Sequence, residues 1–167
     1  MAAFTNDNSS GRAAIINQNS ALCLPKGGWS EENPYAENLA NLPAFNHYTD
    51  AIIYEVSVRD FTISPDADLD SSKFTGHPGS YNAFVQKLPY LKKMGITHIQ
   101  LLPVLNFYNN DETKKDFEKS PHLHNNNYNW GYDPHNYFSP EGWYASNPHD
   151  PYCRIAELKN QIGRAHV

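Results

Sequence analysis

The sequence predicts an α/β fold built on a parallel βαβ unit, and three observations carry that expectation. Residues 51–61 are rich in β-branched and aromatic side chains and open as a continuous apolar run, as a strand buried on both faces does. A second, mostly apolar run spans 96–104. Between them Phe84, Leu88 and Leu91 recur at i, i+4 and i+7, the spacing of one helical face. Strand, amphipathic helix and strand, with connections long enough to cross over, make a unit with parallel strands. Two such strands and two helices neither close a barrel nor cover both faces of a sheet. The 167 residues therefore read as part of a larger domain.

Taken in order, residues 1–20 hold one short strand candidate, Ala13, Ala14, Ile15 and Ile16. A lone strand cannot bury its faces, so it reads as the last member of a sheet whose other strands are missing. Residues 21–49, with Pro25, Pro34 and Pro43 and no sustained periodicity, read as an inter-domain connector. From residue 50 the α/β unit begins. Ser80 is the expected N-cap of its helix, and Lys87, Lys92 and Lys93 suit the negative end of the dipole. Pro89 should kink or split that helix, and Gly95 should end it as the C′ residue. Pro103 marks the exit of the second strand. Residues 105–151 show neither period, and a loop that long in a compact domain is functional or a misread element. Asp150 as N-cap and Pro151 at N1 open a last helix, with Ile155, Leu158 and Ile162 on its apolar side.

Composition narrows the partners. A net charge of -5 argues against nucleic acid and anionic membrane, both of which select basic patches. No apolar run approaches a membrane span. The first residues carry neither a basic n-region nor an apolar h-region, so no signal peptide is visible. The compartment stays open, with the cytoplasm the first expectation. Cys23 and Cys153 are too few and too far apart for a disulfide framework or a zinc site, and read as unpaired thiols.

Within the long aperiodic stretch stands Tyr128-Asn129-Trp130-Gly131-Tyr132-Asp133-Pro134, three rings, an amide and a carboxylate around one glycine. That mixture suits a sugar, whose flat face packs on Tyr or Trp while its hydroxyls need Asn and Asp. The plainer alternative is an aromatic turn that staples a loop to a core. Ligands of parallel α/β folds sit on loops leaving the C-terminal ends of strands, which is where this segment lies.

Residues 50–55 with Val58-Arg59-Asp60-Phe61, and then residues 95–104, resemble the opening of the α-amylase superfamily barrel, glycoside hydrolase family 13. The heptapeptide resembles the one that marks type I pullulanases within it. The resemblance covers nearly the whole chain; the heptapeptide is its specific part. It implies an incomplete TIM (β/α)8 barrel, its first two βα units at 50–167, preceded by the tail of a carbohydrate-binding-type β-sandwich (1–20) and a linker (21–49). It implies an enzyme that hydrolyses α-1,6-glucosidic linkages in pullulan, amylopectin or glycogen-type glucans with retention. Retention needs a nucleophilic carboxylate and a carboxylic acid roughly 5 Å apart. By the resemblance these follow later strands, so no catalytic residue is expected in this chain. What carries over is substrate binding by Tyr132, Trp130, Asp133, Asn129 and Tyr128, with Tyr132 as the ring against the glucose on the non-reducing side of the scissile bond. The partner is an α-glucan; no cofactor is implied, with calcium left open for a longer enzyme. An isoamylase- or branching-type relative, or a glucan-binding piece without catalysis, are the alternatives.

Other constellations are weaker. His122, His124, His135 and His149 with Asp133 match no common zinc spacing, so no metal is assigned. Asp133 and Glu141 as a self-contained carboxylate pair have nothing to fix their separation. Asp111, Glu112, Lys114 and Lys115 read as a solvated mixed-charge loop. Arg59 and Asp60 read as an ion pair at the strand end. Gly163 would be a helix stop; residues 162–167 also resemble the translation of a sequencing-library adapter, so the native sequence is expected to depart near Ile162.

Overall fold

The computed structural model describes residues 2–5, 11–25, 46–108, 110–114 and 128–165. Its centre is the parallel pair β3 (Ile53–Val56) and β4 (His98–Leu101), in register from Ile53 opposite His98 to Val56 opposite Leu101. Both strands are four residues long, shorter than the apolar runs that announce them. Beyond Val56 the chain turns: the Phe61 amide donates to the Ser57 carbonyl and the Ile63 amide to that of Arg59. Residues 58–61 therefore leave the sheet, a correction to the longer strand that their composition suggests.

The crossover helix α1 (Tyr81–Lys93) has the expected ends. The Ser80 side chain accepts from the Ala83 amide at 3.2 Å. At the other end Gly95 has φ +83, its amide bonds the Lys92 carbonyl, and the Ile96 amide bonds that of Leu91. That is a Schellman close, which needs a residue free to take a left-handed conformation. Pro89 neither splits nor ends α1, contrary to the sequence expectation. A proline inside a helix costs about 3 kcal/mol. Phe84 and Leu91, buried on either side of it, bind both halves to the same core.

The apparently structureless stretch contains a hairpin-like pair. Strand β5 (Leu105–Phe107) runs antiparallel to β6 (Pro134–Pro140), with Leu105 opposite Pro140, Phe107 opposite Pro134, and bulges between. Three residues on one side and terminal prolines on the other leave no alternation for a pattern to detect. The strand at the N-terminus is also paired: β2 (Arg12–Ile15) lies antiparallel to β1 (Ala2–Thr5). The candidate strand thus has one neighbour within the described residues that the sequence reading left unassigned. Its partner, Ala-Ala-Phe-Thr, is too short and small to announce itself.

The last helix, α2 (Pro151–Ala165), starts where expected, the Tyr152 amide donating to Asp150 Oδ1 at 2.9 Å. It continues past Gly163, which therefore does not stop it; one glycine costs about 1 kcal/mol in a helix interior, too little to end it alone. Its inner stripe is Arg154, Ile155 and Gln161, buried, with Leu158 half-buried, while Ile162 is exposed. Two cores result. The larger joins Val56, Val58, Tyr81, Phe84, Leu91, Phe107, Trp143 and Tyr144; the smaller joins Ile16, Cys23 and Ile155. Cys23 and Cys153 are both free thiols, as expected. Most of the connector, residues 26–45, lies outside the described residues, as do Lys115, His122 and His124. Among the described residues no helix is long and apolar enough to cross a membrane.

Candidate functional site

The aromatic heptapeptide is held from below at its glycine. Gly131 has φ +86, and a Cβ built on it would lie 2.9 Å from Pro103 Cβ and 3.0 Å from the Pro103 carbonyl oxygen. The loop thus packs on the chain just beyond the C-terminal end of β4, and only glycine permits both the conformation and the approach. Asn129 serves the loop itself. Its Oδ1 accepts from the Gly131 amide at 2.7 Å, and its Nδ2 donates to the Tyr108 carbonyl at 2.6 Å and to Asp133 Oδ2 at 3.2 Å. The Tyr108 amide donates to the Asp133 carbonyl at 3.0 Å, continuing the β5–β6 pairing into the loop.

That bracing projects two rings outward: Trp130 is 59% exposed and Tyr132 67%. Trp130 lines an open cleft of about 300 Å³ with Glu55, Val56, Ser57, Asp60, Phe61 and Leu102, residues at the C-terminal ends of β3 and β4. Tyr128 is bonded to the strand end instead. Its hydroxyl donates to Asp60 Oδ2 at 2.8 Å, and its ring lies under the Arg59 guanidinium, 4.8 Å away. Burial first, then the Asp60 bond, pushes the Tyr128 phenol up to about 12, so it keeps its proton at neutral pH. Arg59 pairs with Asp60, as the sequence suggests, and also lies over the Trp143 ring. Of the five predicted site residues, Trp130 and Tyr132 are offered to solvent. Tyr128, Asn129 and Asp133 are tied to the loop or to the strand end.

Behind the rim lies a polar cluster that sequence reasoning missed. Arg154 makes a bidentate pair with Glu112, Nη1 to Oε1 at 2.9 Å and Nη2 to Oε2 at 2.7 Å, both side chains fully buried. Glu112 Oε1 also accepts from Asn106 Nδ2 at 2.9 Å and from the Gly142 amide at 3.2 Å. Glu141 accepts from the Trp143 amide at 2.7 Å, Asn110 Nδ2 at 2.9 Å and the Phe107 amide at 3.2 Å. Burial, reinforced by the neighbouring Glu112 charge, pushes the Glu141 carboxyl up. Asp111 and Glu112 are thus buried rather than solvated, a correction to the surface-loop expectation. The reason is Arg154, forty-two residues away in sequence and placed opposite Glu112 only by the fold. The one signal available was an arginine four residues before Leu158, on the stripe that α2 buries.

Chemically, the described part of this site can grip and orient; its buried carboxylates already accept internal hydrogen bonds. A short parallel unit with aromatic side chains raised at its strand ends defines the class: an α/β protein with a loop-borne aromatic rim. Comparison with known proteins narrows the class. No family model matches the chain. It is 50% identical over 123 residues, 73% of its length, to pullulanase A of Streptococcus pneumoniae. It is 35% identical over 129 residues, 77% of its length, to the chloroplastic isoamylase 3 of Oryza sativa. It spans about 10% of the first relative and 15% of the second. Among solved structures, the Group B Streptococcus pullulanase SAP superposes with a TM-score of 0.74 at 36% identity, over 99% of this chain and 20% of that one. The same protein in complex with maltotetraose gives 0.71, at 38% identity over 97% of this chain and 19% of that one. The chain is a type I pullulanase-like segment, matching a partial domain of those longer proteins.

Proposed function

We propose that this stretch supplies one wall of the substrate cleft in a retaining glycosidase that cleaves α-1,6-glucosidic linkages in pullulan, amylopectin or glycogen-type glucans. The observation that carries the reading is the pair of exposed rings, Trp130 and Tyr132, flanking a glycine locked onto Pro103 beyond the strand ends. Trp130 and Tyr132 pack on glucosyl faces, Tyr132 on the non-reducing side of the scissile bond. Asn129, Asp133 and Tyr128 hold those rings in place. The bond-breaking acid and nucleophile lie on polypeptide outside these residues, and their chemistry needs no cofactor.

In the same reading β3, α1, β4 and α2 are the first two βα units of a (β/α)8 barrel over 50–167. Residues 1–20 end a β-sandwich and 21–49 link the two. Support comes from the parallel register of β3 and β4 and from the rim's place at their C-terminal ends.

A ring that packs on both substrate and transition state contributes to both when lost. In the enzyme that carries this stretch, Tyr132→Ala is therefore expected to lower kcat/KM on pullulan about tenfold to a hundredfold while Tm stays put. An unchanged kcat/KM on pullulan would remove the reading.

A further inference from the structure

Glu55 and Asp60 both line the cleft beside the rim; Glu55 accepts from Gln100 Nε2 at 3.0 Å, while Asp60 is wired into the rim. Asp60 Oδ1 pairs with Arg59 and Oδ2 accepts the Tyr128 hydroxyl at 2.8 Å. The Tyr128 ring is sandwiched. The Arg59 guanidinium lies 4.8 Å from its centroid, and the Trp130 ring meets it edge-on at 5.5 Å and 77°. Arg59 is itself held against the Trp143 ring, whose indole N–H donates to the Lys114 carbonyl at 3.0 Å. Asp60 and Trp130 line the same cleft. A continuous path of contacts therefore runs from the strand end, through a charge pair and a phenol, to the exposed indole.

Each link has a directional requirement. A phenol hydrogen bond to a carboxylate is stronger than a neutral one and fixes the ring's azimuth. An edge-to-face contact then fixes the second ring relative to the first. Gly131 pins the far side of Trp130 on Pro103. With its hydroxyl unbonded, Tyr128 keeps its packing but loses the contact that sets its tilt, and Trp130 loses a defined seat.

We propose that Asp60 is a positioning residue for substrate binding, acting through the Tyr128 hydroxyl to set the Trp130 ring against the glucan. The inference rests on the proposed function of the rim and assigns Tyr128 a role behind the sugar-contacting surface.

The test compares Tyr128→Phe, Asp60→Ala and Asp60→Asn with Trp130→Ala in the enzyme that carries this stretch, measuring kcat, KM on pullulan and Tm. Tyr128→Phe and Asp60→Ala are expected to raise KM about three- to tenfold with kcat within about twofold. Asp60→Asn keeps an acceptor for the phenol and is expected to recover KM to within about twofold of the parent. A lowered Tm with unmoved KM in Tyr128→Phe and Asp60→Ala would make the clamp merely structural and overturn the proposal. So would an Asp60→Asn variant as impaired as Asp60→Ala. If Trp130→Ala and Tyr132→Ala also leave KM unmoved, the rim itself is misread. If they raise it while Tyr128→Phe does not, the positioning role alone fails.

Discussion

Two regions adjoin the β5–β6 pair, and they are built on opposite principles. In one, Arg154, Glu112, Glu141, Asn106 and Asn110 are withdrawn from water and tied to one another. In the other, Trp130 and Tyr132 stand mostly in solvent on a loop whose polar side chains turn inward to brace it. The first holds charge where water is absent, so its partners are indispensable. The second holds apolar surface where water is abundant, which costs free energy until a ligand covers it. Stability and binding should therefore separate between the two regions under mutation.

The largest effect is expected from breaking the buried pair. Arg154→Met leaves Glu112 uncompensated in a dry site and should cost about 3–5 kcal/mol, read as a fall in the urea midpoint. Glu112→Gln should cost less, because the amide still bonds, and the gap between the two measures the charge itself.

Next comes pH. The Glu141 carboxyl is raised from 4.5 to about 8 by burial and by Glu112, so the native state takes up its proton more readily than the unfolded chain does. The stability this group contributes is complete below pH 4.5 and is lost as pH rises towards 8. A thermal-unfolding series across that window should show Tm falling from this group, and a rising Tm would contradict the assignment.

Gly131→Ala tests the boundary between the regions. It imposes a left-handed backbone on alanine and a clash with the Pro103 main chain, worth roughly 1–3 kcal/mol. Because it lifts the loop, it should weaken maltotetraose binding by isothermal titration as well as lower stability. The smallest effect on folding belongs to Trp130→Ala. Loss of an exposed ring with one edge contact should change stability by no more than about 1 kcal/mol while weakening the same ligand several-fold.

Much of this was legible in the order of the residues. The parallel strands, the Ser80 and Asp150 caps and the Gly95 close follow from local patterns, because caps, periods and turn residues act within a few positions of themselves. The β5–β6 pair did not follow, since its strands are short, bulged and bounded by proline. Ile162 and Gln161 traded places for a similar reason: a helical period gives a face its width but not which edge of it meets the core.

What the sequence by itself determined is therefore the class of the fold and the stretch that carries exposed aromatic rings beyond the strand ends. The tertiary structure alone decided which members of that stretch reach solvent and which brace it. It also decided that Glu112 is buried and that Tyr128 answers to Asp60. Those outcomes depend on residues 42 and 68 positions apart meeting in space. Neither the period of a helix nor the chemistry of a single residue carries information over that distance.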